Sequence, residues 1–224
     1  MSRFTRIQVA VKMMETGLIP IFNHSDISIC KKIVNACYSG GVRVIEYTNR
    51  GDFAHEIFTE LNKFVIKELP DMILGIGTVV DGATASLFIQ SGANFVVSPY
   101  LKEDMAVVCN RRKILWIPGC GSLTEISKAE ELGAEIIKIF PAIQVGGPKF
   151  VSNIKGPCPW TSIMPAGGVE PEEKNLKEWF ESGVTCVGMG SQLITKDILE
   201  KENYDQLTAK CKFSLECIKK YKKI

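Results

Sequence analysis

Lys138 stands alone in EIIKIFPA, residues 135–142, among Ile136, Ile137, Ile139 and Phe140. An ammonium group is costly to bury in such a run, and burial favours a neutral amine. A neutral amine attacks carbonyl carbon, and the Schiff base it forms draws electrons out of a neighbouring carbon–carbon bond. Glu46 and Arg50 stand four residues apart in VIEYTNRG, residues 44–51. A carboxylate beside the amine would move protons during carbinolamine and enamine steps. Arg50 presents a planar donor fork suited to a substrate carboxylate. A structural Lys–Glu ion pair and a plain surface arginine are the competing readings of these residues.

The glycines make a separate argument. AGGVEPEE, residues 166–173, sets Gly167 and Gly168 after an apolar run and before a helix start. VGMGSQL, residues 187–193, repeats the arrangement with Gly188, Gly190 and Ser191. Glycine lets backbone N–H groups approach an anion, and a helix N-terminus favours negative charge. A third such turn, QVGGPKF, spans residues 144–150. In (β/α)8 barrels phosphate sites recur after the seventh and eighth strands, and a plain turn is the competing reading of a glycine pair.

For these groups to meet, strands must carry them to one place. Eight strand-like runs recur: LIPIF (18–22), VRVIEY (42–47), MILGIG (72–77), NFVVS (94–98), ILWIP (114–118), IIKIF (136–140), SIMPA (162–166) and TCVGMG (185–190). Helical segments lie between them. DISICKKIVNACYSGG opens on Asp26 as a cap and closes on glycine. DFAHEIFTELNKFVIKEL stops before Pro70, and the segments from Asp81, Ser122 and Glu170 repeat the pattern of cap, apolar stripe and glycine stop. Ser122 with Glu125 has the spacing of a capping box. GGPKFVSNIKG, residues 146–156, is short for a helix, and everything from Lys196 reads as one final amphipathic helix with a solvated tail.

Alternating strands and helices imply βαβ units, and eight of them predict a (β/α)8 TIM barrel. The stretch before Leu18 adds an N-terminal helix placed to close the barrel floor. An open doubly wound sheet is the alternative. In a barrel, polar groups at strand C-termini are the first candidates for function. Thr78 ends the third run and Pro99 follows the fourth. Inward residues alternate, so Val42, Val44 and Glu46 share one face, and Ile136 and Lys138 share another. Glu46 and Lys138 then both point into the barrel mouth.

The chain has 224 residues, 46% of them hydrophobic, which suits one barrel domain over residues 1–224. A net charge of +2 gives no general field for nucleic acid. No apolar run has the length of a membrane span, and the first residues lack a secretory core. Eight cysteines without a C-x-x-C pair read as reduced thiols in a cytoplasm. Two histidines, His24 and His55, lack metal-ligand spacing, so neither a metal nor another cofactor is expected.

At GVRVIEYTNRG, GIGTVVDGATA, IPGCGSLTEISKAEELGAEIIKIFPA and GGV the sequence resembles the class I 2-keto-3-deoxy-6-phosphogluconate aldolases, which also cleave 4-hydroxy-2-oxoglutarate. The resemblance runs from about Ile19 to the helix after Ser191. It implies a metal-free (β/α)8 barrel, typically a homotrimer, that splits a keto acid sugar phosphate into pyruvate and an aldehyde. Lys138 would form the Schiff base with pyruvate, and Glu46 would be the general acid/base. Arg50, with Thr78 and Pro99 nearby, would hold the pyruvate carboxylate, and Phe140 would pack on the carbon chain. Gly167, Gly168, Gly188 and Ser191 would take the phosphate. Three positions depart from the family pattern: Gly51 replaces a hydroxyl residue, SPYL replaces SPG, and Ala166 replaces a threonine that pairs with the substrate C4 hydroxyl. These touch substrate choice and leave the lysine and glutamate intact. A phosphate-binding barrel isomerase and a non-catalytic sugar-phosphate binding barrel are the alternatives.

Overall fold

The computed structural model describes residues 2–222. All eight strand-like runs form strands: β1 Leu18–Phe22, β2 Val44–Thr48, β3 Ile73–Gly77, β4 Phe95–Val97, β5 Leu115–Ile117 with β6 Gly119–Cys120, β7 Ile137–Ile139, β8 Ile163–Pro165 and β9 Val187–Met189. The fifth run makes two strands because Pro118 lacks an N–H and interrupts the ladder. Every pairing is parallel, in the orders β5-β4-β3-β2-β1-β9 and β6-β7-β8. The Lys138 amide donates to Pro118 O at 2.9 Å and carries pairing across the break. Between β8 and β9, Thr185 N donates to Ile163 O at 2.8 Å, and Ala166 bridges Gly188. The result is a curled parallel sheet with helices outside.

The helices are α1 Arg6–Thr16, α2 Ile27–Ser39, α3 Ala54–Glu68, α4 Gly82–Gln90, α5 Glu103–Arg112, α6 Leu123–Glu131, α7 Gly147–Lys155, α8 Glu173–Glu181, α9 Lys196–Glu200 and α10 Tyr204–Tyr221. Asp26 caps α2, accepting from Ser28 N at 2.7 Å, and Ser122 caps α6, accepting from Glu125 N at 3.3 Å. Glu125 reaches back to Gly121 N at 2.8 Å, one residue beyond the capping-box partner Ser122 N. Two expectations are corrected. GGPKFVSNIKG does form a helix, α7, started by Pro148 in its first turn. The C-terminal segment is two helices, because Glu202 takes a positive φ of 50° and Asn203 caps a new start at α10. Helix α5 was not among the helical segments read from the sequence. Its acidic start at Glu103 and Asp104 and basic end at Arg111 and Arg112 match the helix dipole, while only Met105, Ala106 and Cys109 are buried.

Alternation along the strands sorts the core into two. Ile19, Val44, Ile73, Phe95, Leu115, Ile136 and Met164 form an inner cluster, joined by Val9, Ala10 and Met13 of α1. The residues between them face the outer helices. Above the inner aliphatic layer the inward positions on four strands become polar or glycine, Glu46 on β2, Gly75 and Gly77 on β3, Lys138 on β7 and Gly188 on β9, while Val97 on β4 and Ile117 on β5 stay aliphatic. The phenyl ring of Phe95 fills the space a side chain at Gly75 would take.

Candidate active site

At the carboxyl ends of the strands lies a cavity of about 320 Å³. Glu46, Arg50, Thr78, Lys138, Phe140, Ala166, Gly167, Gly168, Gly188 and Ser191 all line it, brought from five strands and their following turns. Pro99 does not. The chain after β4 leans on β6 instead: a β-carbon at Gly119 would lie 2.9 Å from Ser98 O and closer still to the Pro99 carbonyl. That contact holds Pro99 against the neighbouring strand, outside the lining.

Lys138 is 7% exposed and Glu46 wholly buried. Lys138 Nζ lies 4.9 Å from the centroid of the Phe140 ring, a cation–π distance. Among the described residues, neither carboxylate oxygen of the buried Glu46 has a hydrogen-bond partner. The two groups therefore share the cavity without the direct bond that a structural ion pair requires. Burial pushes the Glu46 carboxyl above the usual range, and the charges of Lys138 and Arg50 pull partly against it.

Arg50 is held by Thr78, the residue after β3. Its Nε donates to Thr78 Oγ1 at 3.4 Å, a long bond. Thr78 sits at φ 58°, a left-handed conformation that β-branched residues avoid and that costs about 1–3 kcal/mol. Hydrogen bonds on both sides pin it there: Asn49 N donates to Gly77 O at 2.8 Å, and Val79 N donates to Val97 O at 3.2 Å.

The opposite wall is glycine-rich. Gly167 and Gly168 have φ near 90°, which only glycine takes freely. After β9 one tight turn closes from Leu193 N and Ile194 N to Gly190 O, at 2.9 and 3.0 Å. Among the described residues, no acceptor takes a hydrogen bond from the amides of Gly168, Ser191 or Gln192. Free amides in two adjacent turns make an anion cradle.

Sequence reasoning singled out neither Thr48 nor Leu199, and both line the cavity, as do Phe22, Asn23 and Gln192. Thr48 is 2% exposed, its Oγ1 has no hydrogen-bond partner, and the two-residue step from Glu46 was signal enough to find it. Leu199 had no signal, since it lies on α9, a separate short helix that the sequence runs together with α10.

With this geometry in view, comparison with known proteins is direct. The sequence model described as "Aldolase: KDPG and KHG aldolase" matches residues 9–210, and the chain belongs to that family. A 2-dehydro-3-deoxy-phosphogluconate aldolase of Pseudoalteromonas atlantica is 32% identical, over 85% of this chain and 86% of that one. A KHG/KDPG aldolase of Escherichia coli K12 is 30% identical, over 92% of this chain and 95% of that one. A KDPG aldolase of Legionella pneumophila, solved with pyruvate as a covalent carbinolamine intermediate, superposes with a TM-score of 0.82 at 25% identity, over 92% and 97% of the two chains. The chain is thus a lyase of the aldolase type that works through a Schiff base.

The unpartnered Glu46 carboxyl makes stability depend on pH. A raised folded-state pKa supports stability fully below the ordinary glutamate value, about 4.3, and that support is lost as pH rises through the folded value. Glu46→Gln is therefore expected to raise Tm at pH 7, by roughly 2–4 °C for each kcal/mol gained in a chain of this size. The gain should fade toward pH 4, where wild-type Glu46 is itself neutral. Thermal unfolding of both proteins across that range is the measurement, and a Tm advantage that grows on acidification would contradict the assignment.

Proposed function

We propose that Lys138 is the Schiff-base residue of a class I aldolase cleaving 2-keto-3-deoxy-6-phosphogluconate or a related 2-keto-4-hydroxy acid. The observation that carries this is one buried amine opposite one unpartnered carboxyl in a cavity at the strand ends. The amine adds to the C2 carbonyl, and the carbinolamine loses water to give an iminium ion. Glu46 takes the proton of the C4 hydroxyl, directly or through a water. The C3–C4 bond then breaks, its electrons pass to the iminium nitrogen, and the aldehyde leaves from an enamine. Protonation of the enamine at C3 and addition of water release pyruvate and restore the amine. Arg50, steadied by Thr78, holds the keto-acid carboxylate; Phe140 covers the carbon chain.

The free amides of the two late turns support a phosphate at the aldehyde end, with Gly167, Gly168, Gly188 and Ser191 around it. The reaction needs no metal and no other cofactor. On the same reading residues 1–224 form one domain, a closed (β/α)8 barrel with α1 as the added N-terminal helix. Support for closure comes from the hydrogen bond and the bridge between β8 and β9. The family resemblance adds a homotrimer working in the cytoplasm on small molecules, away from nucleic acid and membrane. An isomerase could work with carboxylates alone, and a non-catalytic sugar-phosphate binder needs no neutral amine.

Borohydride with pyruvate should leave one reduced adduct, on the peptide containing Lys138. Lys138→Met should abolish both trapping and cleavage; an adduct on another lysine overturns the assignment.

Gly190 tests the phosphate. It lines the cavity, its φ is not in the left-handed range, and a β-carbon there meets only Ile21 O, at 3.7 Å. Gly168 is a poorer probe, because a β-carbon would lie 3.0 Å from Ile143 Cβ and closer to its Cγ1. Gly190→Ala should raise KM for phosphorylated substrates about tenfold, the loss of roughly one charge-assisted hydrogen bond, and leave short unphosphorylated keto acids unaffected. Equal losses for both would assign the glycine to the turn alone.

Ala166 offers no side-chain hydrogen bond, so a wrong C4 epimer leaves no protein group there unpaired. Wild type should cleave both epimers, and Ala166→Thr should favour the gluconate form by about 1–2 kcal/mol in the ratio of kcat/KM values. A strict wild type with an unchanged ratio in the variant would mean that another residue reads C4.

A further inference from the structure

Strand β3 carries glycine at both of its upper inward positions, and the two do different things. The Gly75 notch receives the Phe95 ring, which is wholly buried core. The Gly77 notch receives the end of Glu46. A β-carbon at Gly77 would lie 3.0 Å from Glu46 Cγ, 2.5 Å from Cδ and closer still to Oε1. Register explains the fit. Glu46 pairs with Gly75, so its side chain starts beside the lower glycine and climbs toward the strand ends onto the upper one. The carboxyl group thus occupies the volume that any other residue at 77 would fill. No hydrogen bond orients it, since neither oxygen has a partner. Shape is what holds it against the wall of the cavity.

We propose that Gly77 is a positioning residue for the aldol reaction: its missing side chain is the seat that aims the Glu46 carboxyl at the substrate. This rests on the aldolase reading above. A carboxyl oxygen needs about 3 Å from a methyl carbon, so a methyl at 77 would drive Oε1 back by about 1 Å or more. A misplacement of that size is enough to cost about 10²-fold in rate. The displaced group is the free end of a long side chain, so the strand itself need not move. The φ of Gly77 is not in the left-handed range, so alanine fits the backbone.

The test is a double-mutant cycle on the full-length protein, with Tm, kcat and KM read for each variant. Gly77→Ala should keep the wild-type Tm or exceed it, lower kcat about 10²-fold and leave KM nearly unchanged. Glu46→Asp should lower kcat in the wild-type background and cost much less beside Gly77→Ala, where the carboxyl is already off its seat. Multiplying losses, or a Gly77→Ala variant with wild-type kcat, would overturn the proposal. If Gly77→Ala fails to fold, Gly77→Ala with Glu46→Gly decides. Folding of that pair assigns the clash to the Glu46 side chain and supports the seat; failure of the pair as well overturns it. Borohydride trapping on Lys138 in the Gly77→Ala variant keeps the two questions apart. Loss of kcat with trapping retained supports the seat. An adduct on a lysine other than Lys138 refutes the aldolase assignment itself.

Discussion

A carboxyl and an amine are buried in one cavity and do not bond to each other. Most of what surrounds them follows from that. A direct pair would offset the burial of both charges but would leave each group occupied. Held apart, Glu46 keeps its proton to higher pH through desolvation, and Lys138 and Arg50 act on it only at a distance. On the proposed function, a raised pKa suits Glu46 to giving a proton as well as taking one. In that reading the missing bond serves the chemistry at the expense of stability.

Such an arrangement needs a rigid frame, because no hydrogen bond corrects the position of the carboxyl. The frame is built in layers. Aliphatic side chains and three residues of α1 fill the lower interior, and Phe95 in the Gly75 notch tops that layer. Filling Gly75 would press on a fixed core ring, a strain the interior resists. Filling Gly77 would press on the movable end of Glu46. Two glycines of one short strand, alike in sequence, thus separate packing from function by what each one faces.

Much of this is legible from the order of residues. Strict alternation puts Glu46 and Lys138 on inward faces, and short β-rich runs between glycine stops mark the strands. The losses have local causes. Helix α5 starts after Lys102, which makes no side-chain cap bond, and ends on Lys113 in place of a glycine, so the cap and stop signals are missing and its end charges carry the signal. Pro118 divides one apolar run between two ladders, which is visible only once the partners are known. Pro99 sits within reach of the mouth by sequence, yet the notch at Gly119 draws the chain the other way. Leu199 lies on α9, which the backbone at Glu202 separates from α10, and glutamate has no special preference for positive φ.

The same logic accounts for the strain at Thr78. A glycine in its place would take φ 58° freely, and asparagine would take it at less cost. Neither would put a hydroxyl at this point on the cavity wall, where Arg50 donates to it. The chain tolerates the conformation because the backbone on each side is already committed, to Asn49 and to Val97. Across the cavity the relation is reversed. There, on the proposed function, backbone amides do the recognising, and Gly167 and Gly168 take their positive φ without strain. One wall thus spends stability to aim a side chain, and the other removes side chains to aim the backbone. On the proposed function, the acid end of the substrate meets directed side chains, while the anion at its far end meets a surface of N–H groups. In that reading the division gives the cavity a polarity along its length, and the polarity sets which end of a keto acid reaches the amine.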